Sequence, residues 1–193
     1  MPGHAHQLPD AFTLQQARKA GLSKREIYRR RDAGEFESIG HGLFRRSGTE
    51  PAQLDFIEIA ARTPNATLCL QTALARYDLI DAIPAVIDVA LPRGTRTPRT
   101  SKLAQWHHFD AATFAIEREQ LSLTDELSIG IYSADRCIVD AFRMRGSAGR
   151  ELGIEALKNW LKRKGARPAR LVELAKQFPR APSPLEAALE VLL

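Results

Sequence analysis

TLQQARKAGLSKREIYRRRDAGEFESIGHGLFRR, residues 13–46, is the stretch that decides the fold of the N-terminal part of this chain. Thr13 with Gln16, and Ser23 with Glu26, have the spacing of a capping box. In that arrangement a hydroxyl and a carboxylate or amide satisfy the free amides at the start of a helix. The sequence therefore predicts two helix starts only ten residues apart.

The first predicted helix runs from about Leu14 to Ala20, and the second from about Lys24 to Ala33. Gly21 and Gly34 end them, because glycine adopts a left-handed backbone conformation at no steric cost. Residues 21–23 are then the whole connection. A turn this short between two capped helices predicts a helix-turn-helix, whose second helix enters the major groove of DNA.

The hydrophobic pattern changes after the second helix. Glu35–Ile39 and Leu43–Arg46 are two short runs on either side of the glycine-rich Gly40–Gly42. Such a pattern predicts a β-hairpin, which in this position would be the wing of a winged helix.

Cations are dense on the second helix: Lys24, Arg25, Arg29, Arg30 and Arg31. Only Glu26 and Asp32 oppose them on that helix. A basic run is often just a solvated helix face. Here capped helices, a short turn, a hairpin and arginines occur together, and this combination favours binding to the phosphates and base edges of double-stranded DNA.

The composition is that of an ordinary globular protein, with 193 residues, 44% hydrophobic and 26% charged. This length allows either one larger domain or a small module with a second domain, and we favour two domains, residues 1–48 and 49–193. We find no apolar run long enough to span a bilayer and no signal-peptide core, so a cytoplasmic protein without membrane contact is expected. Cys69 and Cys137 lack a partner at metal-ligand spacing, and we expect buried reduced thiols, with a disulfide as the less favoured alternative.

The net charge of +5 is unevenly distributed along the chain. Residues 1–48 contain nine Lys or Arg and five Asp or Glu, a net charge of +4. A second cationic group lies in a loop and comprises Arg93, Arg96, Arg99 and Lys102. A third lies on and after a helix end, where the helix dipole favours cations, and comprises Lys158, Lys162, Arg163, Lys164, Arg167 and Arg170.

The remainder of the chain predicts a mixed domain that follows the polar break at Ser47–Pro51. Apolar periodicity places helices at about 52–61 and 68–77, strands at 86–91, 106–109 and 127–132, and a further candidate strand at 114–116. From Ser133 the pattern is helical and ends with a helix at 184–193. The predicted fold class is α+β, with an N-terminal winged helix-turn-helix and a mixed α/β C-terminal domain that ends in helices.

The chain resembles the AbiEi-type antitoxins of bacterial type IV toxin–antitoxin systems. In the N-terminal part, FTLQQARKAGLSKREIYRRRDAGEFESIGHGLFRR is similar to the winged helix of that family. In the C-terminal part, TALARYDLIDAIPAVIDVALPRGTR and SADRCIVDAFRMR are similar to its helix-then-strand core and to its Ser-x-Asp/Glu-Arg/Lys helix start.

The resemblance implies a transcriptional repressor that binds the operator of its own operon and counteracts a nucleotidyltransferase-like toxin. It implies DNA contacts by Ser23, Lys24, Arg25, Tyr28, Arg29 and Arg30. It also implies that the wing residues His41, Arg45 and Arg46 lie near the DNA backbone. From the residues themselves, we predict that the loop arginines Arg93, Arg96 and Arg99 extend the DNA footprint; the alternatives are that they bind RNA or a partner, or that the loop is simply solvated.

The alternative hypothesis is that the protein is an enzyme, in which a winged helix is joined to a nuclease-like C-terminal domain. Asp88 on a core strand could begin a metal site, but the following stretch lacks the Glu-x-Lys arrangement that such a site needs. Asp88 is therefore expected to form a structural ion pair beside the loop arginines. His107 and His108 are adjacent on a strand and would point to opposite faces. No catalytic residue, metal site or cofactor is predicted.

A third possibility is a module that binds a toxin directly through its C-terminal helices. Direct capture should use the apolar surface around Leu185, Leu189 and Leu193, whereas a repressor that does not touch the toxin would bury those side chains in its own core.

Overall fold

The structure, a computed structural model, describes residues 8–9, 11–40, 42–47, 54–98, 104–124, 127–144 and 146–193. The chain divides into two compact units. The first contains the described residues up to Ala66, together with Pro98 and those between Gln120 and Ile129, and the second contains all the others.

The described residues of the first unit form β1 (Ala11–Thr13), α1 (Leu14–Lys19), α2 (Lys24–Asp32), β2 (Phe36–Gly40), β3 (Leu43–Arg46) and α3 (Leu54–Arg62). The strands form an antiparallel sheet in the order β1-β3-β2. Both predicted helices and both predicted wing strands are therefore present. Strand β1 was not predicted, because a three-residue strand exists only through its pairing with β3 and leaves no periodic signal of its own.

An aromatic cluster forms the core of this unit. The ring of Phe12 lies 5.0 Å from that of Phe36, edge to face, and 6.1 Å from that of Phe44. Ile27, the inward side chain of α2, is completely buried against this cluster. Burying such a side chain contributes about 1.5–3 kcal/mol, and this contact fixes α2 to the sheet.

The predicted domain boundary between residues 48 and 49 stays a prediction, because residues 48–53 lie outside the described part of the chain. The first compact unit continues to Ala66 and so includes α3, which contacts β1 and β2.

The part of the second unit that the structure describes contains a mixed sheet and five helices. Its elements are β4 (Thr67–Leu68), α4 (Leu70–Arg76), β5 (Ile87–Pro92), β6 (Ala104–Phe109), β7 (Arg118–Ser122), β8 (Ser128–Tyr132), α5 (Ala134–Arg143), α6 (Ser147–Leu161), α7 (Pro168–Lys176) and α8 (Pro182–Leu192), with β7 and β8 only partly inside it. The strand order is β6-β5-β4-β8-β7. Strand β5 runs parallel to β6 and antiparallel to β4. The predicted α+β class is confirmed, and both cysteines are free and buried, as expected.

The candidate strand at 114–116 is wrong, since these residues lie in a turn. Side chains hold that turn: the Tyr132 hydroxyl donates to the carbonyl of Phe114 at 2.9 Å, and Arg136 donates to the carbonyl of Ile116 at 2.9 Å. These hydrogen bonds hold the backbone of the turn in place without pairing to a neighbouring strand. Strand β7, which follows, was missed because REQLS lacks the apolar alternation of a strand.

A buried arginine lies at the centre of the second unit. The Arg136 side chain is completely buried and donates to Asp140 at 2.8 Å. Its guanidinium also packs 4.5 Å from the ring of Tyr132 and 4.0 Å from that of Phe178. Asp140 accepts a second contact, 2.5 Å long, from Arg143. Burial raises the pKa of the Asp140 carboxyl, and the two guanidinium groups oppose that rise.

We predict that Asp140→Ala lowers the free energy of unfolding by about 3–5 kcal/mol, because it leaves Arg136 buried without a counter-charge. Urea denaturation of the full chain measures this. The control is Glu173→Ala, which removes the exposed ion pair to Lys176 and should change stability little. Equal effects of the two variants would contradict a stabilising role for the buried pair.

Candidate DNA-binding surface

The first helix starts as the sequence predicts. The backbone amide of Gln16 donates to Thr13 Oγ1 at 3.2 Å, and the amide of Thr13 donates to Gln16 Oε1 at 2.8 Å. Gly21, with φ of +84°, then reverses the chain after α1, and the amide of Leu22 donates to the carbonyl of Ala17 at 2.9 Å. Leu22 is buried, so the short turn is anchored to the core.

The second capping box is only half formed, which corrects the prediction. The amide of Glu26 donates to Ser23 Oγ at 3.1 Å, as expected. The Glu26 carboxylate, however, accepts from Arg29 at 2.6 Å and from Arg30 at 2.9 Å. Two guanidinium groups, one three and one four residues ahead on the helix, are stronger partners for a carboxylate than one backbone amide.

These contacts alter the titration of the carboxyl. Hydrogen bonds from Arg29 and Arg30 lower the pKa of Glu26 from its ordinary value of 4.5 to about 2. Glu26 is therefore ionised at every physiological pH and stays paired with the two arginines in the free protein.

The outer face of α2 presents cations to solvent. Lys24 and Arg25 are exposed, and the Arg29 side chain is 70% exposed despite its contact with Glu26. The cap residue Ser23 is also exposed and lies at the start of the same helix.

Two exposed cations that sequence reasoning missed lie near the turn. Arg18 and Lys19 form the basic last turn of α1 and are exposed. The signal was present, because the first helix of a helix-turn-helix crosses the DNA backbone. The helix dipole favours cations at the C-terminal end of a helix in any protein. The position of Arg18 and Lys19 is therefore compatible both with contact to the DNA backbone and with stabilisation of the helix end.

The inner flank of α2 packs against the sheet. The ring of Tyr28 meets that of Phe44 edge to face at 5.7 Å. Arg30 is only 20% exposed, and its guanidinium lies 5.9 Å from the ring of Phe36. Arg31 lies 4.7 Å above the Tyr28 ring. Of the predicted contact residues on this helix, Tyr28 and Arg30 thus already have partners within the unit.

The wing arginines are also engaged within the unit. Arg45 is 13% exposed and binds Glu37, its cross-strand neighbour, at 2.5 Å. Arg46 donates to the carbonyl of Leu8 at 3.2 Å. His41 lies outside the described residues, beside Gly42 with φ of +70°. A DNA contact by any of the three stays a prediction.

Two of the loop arginines, Arg93 and Arg96, belong to the second unit. Arg93 and Arg96 are exposed after the end of β5, and the amide of Arg93 donates to the carbonyl of Phe109 at 2.7 Å. Arg99 lies outside the described residues. Whether these arginines touch DNA stays a prediction.

Asp88 is buried, and its partner is a histidine. Oδ1 of Asp88 lies 2.7 Å from Nε2 of His107, so Asp88 forms a structural pair as expected, with a histidine of the neighbouring strand as its partner. Asp88 and His107 come together because the neighbouring parallel strands β5 and β6 place them on one face. His108 instead donates to the carbonyl of Thr95 at 3.0 Å. Within the described residues, no three His, Cys, Asp or Glu side chains are grouped so that they could hold a metal.

A family model described as "Transcriptional regulator, AbiEi antitoxin" matches residues 4–47. The match covers the helix-turn-helix and the wing. It confirms the resemblance of this segment to AbiEi-type antitoxins and supports a DNA-binding antitoxin.

No curated protein matches the chain. A solved structure, the crystal structure of the RV2827C protein from Mycobacterium tuberculosis, is 19% identical, and the alignment covers 97% of this chain and 78% of that chain with a TM-score of 0.49. A similarity at this level establishes neither fold nor function. None of the described helices has the length and apolar character needed to cross a membrane.

We predict a pH-dependent contribution of Glu26 to stability. A carboxyl whose pKa is depressed by folding stabilises the folded state fully above its ordinary pKa of 4.5, and this contribution is lost as the pH falls through about 2. Glu26→Gln should therefore have a lower Tm than the unchanged chain at neutral pH, with the difference shrinking below pH 4.5.

Thermal unfolding followed by circular dichroism measures this difference across the pH range. Glu35→Gln is the matched control, since the nearest contact of that carboxylate to Arg30 is 3.9 Å. A Tm difference for Glu26→Gln that is independent of pH would mean that the ion pairs do not stabilise the fold.

Proposed function

We propose that the protein is a cytoplasmic antitoxin that represses its own toxin–antitoxin operon by binding the operator with its winged helix. The proposal rests on one observation: α2 is anchored to the core by Ile27 while Lys24, Arg25 and Arg29 stay exposed. A helix held in this way presents cations at the width of a major groove. The family match over residues 4–47 supports the same role.

We propose a division of labour between neighbouring arginines. Arg29 is 70% exposed and can reach a phosphate or a base edge, whereas Arg30 is 20% exposed and packs against Phe36. The exposed residue should serve DNA binding, and its buried neighbour should serve stability. By the same argument, Arg45 and Arg46 would stabilise the wing through their contacts with Glu37 and with the carbonyl of Leu8.

The matched variants Arg29→Gln and Arg30→Gln test this division with one change of charge each. Arg29→Gln should weaken duplex binding and reduce the slope of log affinity against log salt by about 1, with a Tm loss limited to that of its exposed contact with Glu26. Arg30→Gln should lower the Tm and leave that salt slope nearly unchanged. Equal changes of slope in both variants would contradict the division.

Charge reversal then tests the surface as a whole. Arg25→Glu combined with Arg29→Glu should abolish the gel shift of a duplex from upstream of the gene, with an unchanged circular-dichroism spectrum. The control is Arg150→Glu combined with Lys158→Glu, which changes the net charge equally on α6. A duplex of unrelated sequence at the same salt concentration separates operator recognition from general phosphate binding.

We further propose that the protein counteracts a nucleotidyltransferase-like toxin. The family description of an antitoxin supports a toxin partner, and the resemblance to AbiEi-type antitoxins implies the class of that toxin. Leu185 and Leu189 are buried within their own unit, while Leu193 is 80% exposed. This burial favours an antitoxin that does not capture its toxin through those leucines. Co-expression with the product of the neighbouring reading frame tests the role: growth arrest that persists in the presence of this chain would contradict it.

The same proposal includes the absence of nuclease activity. Asp88 and His107 form a pair without a further carboxylate to complete a metal site among the described residues. Incubation of the full chain with DNA or RNA and Mg²⁺ or Mn²⁺ should give no cleavage beyond that of an Asp88→Ala preparation. Metal-dependent cleavage that disappears in Asp88→Ala would replace the antitoxin reading with the nuclease-like alternative.

A further inference from the structure

A cavity of about 410 Å³ lies in the second unit, between the end of α6 and the start of α7. Its volume is within the roughly 300–1,000 Å³ range of small-molecule sites. The lining residues are Asp135, Trp160, Arg163, Lys164, Gly165, Ala166, Arg167 and Arg170. Four cations and one carboxylate thus converge on one concave surface that the winged helix does not use.

The positive charge of this cavity is only partly neutralised. Arg170 lies 3.2 Å from Glu117 and 3.9 Å from Asp135. Arg163 donates to the carbonyl of Tyr77. Within the described residues, no carboxylate forms an ion pair with Lys164 or Arg167, and both are exposed. Such an arrangement attracts an anion of more than one charge.

The backbone adds to this potential. Gly165, with φ of +93°, reverses the chain between α6 and α7. Helix α7 then starts with Pro168 in its first turn, without an acidic residue there and without a side-chain cap. No acidic side chain of its own first turn therefore offsets the positive end of its dipole.

The floor of the cavity differs from its rim. Asp135 Oδ1 accepts from the indole Nε1 of Trp160 at 2.8 Å, and its Oδ2 lies 3.9 Å from Arg170. Burial raises the pKa of Asp135. Oδ2 can accept a further hydrogen bond. A ligand that places an anion at the rim and a hydroxyl at the floor would satisfy both regions.

We propose that this cavity binds a nucleotide, with its phosphate on Lys164 and Arg167 and a ribose hydroxyl on Asp135. A carboxylate that accepts from ribose and cations that meet phosphate are the two elements of nucleotide recognition. A bare phosphate would leave the Asp135 carboxylate unused and most of the cavity empty. The inference is independent of operator binding, since it concerns only residues of the second unit.

Isothermal titration calorimetry of the full chain with adenosine 5′-monophosphate tests the proposal directly. Trp160 provides a second readout, because its indole contacts Asp135 on the floor. In a Trp106→Phe background, Trp160 is the one remaining tryptophan, so its fluorescence reports on the cavity. We expect saturable binding in both calorimetry and fluorescence. If neither measurement shows saturable binding, the proposal is overturned.

Paired charge variants locate the site. Lys164→Gln combined with Arg167→Gln should weaken nucleotide binding by about tenfold or more. The matched control is Arg150→Gln combined with Lys158→Gln, which removes the same charge from α6 beside another cavity, and it should leave affinity unchanged. Equal losses in both pairs would show a general charge effect and would overturn a specific site.

Two further arms identify the ligand chemistry. Asp135→Asn should weaken adenosine 5′-monophosphate and leave inorganic phosphate unaffected; equal affinity of the unchanged chain for both would overturn the ribose contact. A duplex without terminal phosphates should not compete for the cavity. Competition by this duplex that is lost in the Lys164/Arg167 variant would replace the nucleotide by a nucleic-acid backbone. Operator gel shifts of that variant, if unchanged, show that the winged helix is intact.

Discussion

The packing of α2 on the aromatic cluster is the contact on which the N-terminal unit depends. Helix α2 has nine residues, too few to be stable in water without tertiary contacts. Ile27 is completely buried, and Tyr28 meets the ring of Phe44. Because these side chains fix one side of the helix to the core, its other side needs no apolar residues for stability. That side can therefore carry exposed cations such as Arg25 and Arg29.

Glu26 then determines how the arginines of α2 are used. Its carboxylate binds Arg29 and Arg30 together, so the free protein reduces repulsion within a crowded cationic helix. Under the proposed function, a DNA phosphate would have to compete with Glu26 for Arg29. Arg30 cannot turn outward as easily, because Phe36 and Glu35 also contact it. One acidic residue thereby pairs with two cations of the same helix, and under the proposed function it would also weaken unspecific binding to phosphates.

The sequence predicts these features unequally, for a physical reason. Caps, glycine turns and the hairpin depend on residues a few positions apart, so α1, α2 and the wing could be predicted. Strands β1 and β4 depend on partners far along the chain and could not. The pair of Asp88 with His107 requires the register of two parallel strands. The Glu26 carboxylate could bind either the backbone amide at the helix start or the guanidinium groups of Arg29 and Arg30. The spacing of the residues does not decide between these partners.

The start of α5 shows how adjacent residues reach different surroundings. Ser133 caps the helix by accepting from the amide of Arg136 at 3.2 Å. Because each residue advances around a helix by about 100°, Asp135 and Arg136 point in different directions from that fixed start. Arg136 enters the core, where Asp140 and aromatic rings enclose it, whereas Asp135 reaches the cavity beside Trp160. A change in the cap would therefore shift the core and the cavity together, which links the stability of this unit to the geometry of its polar site.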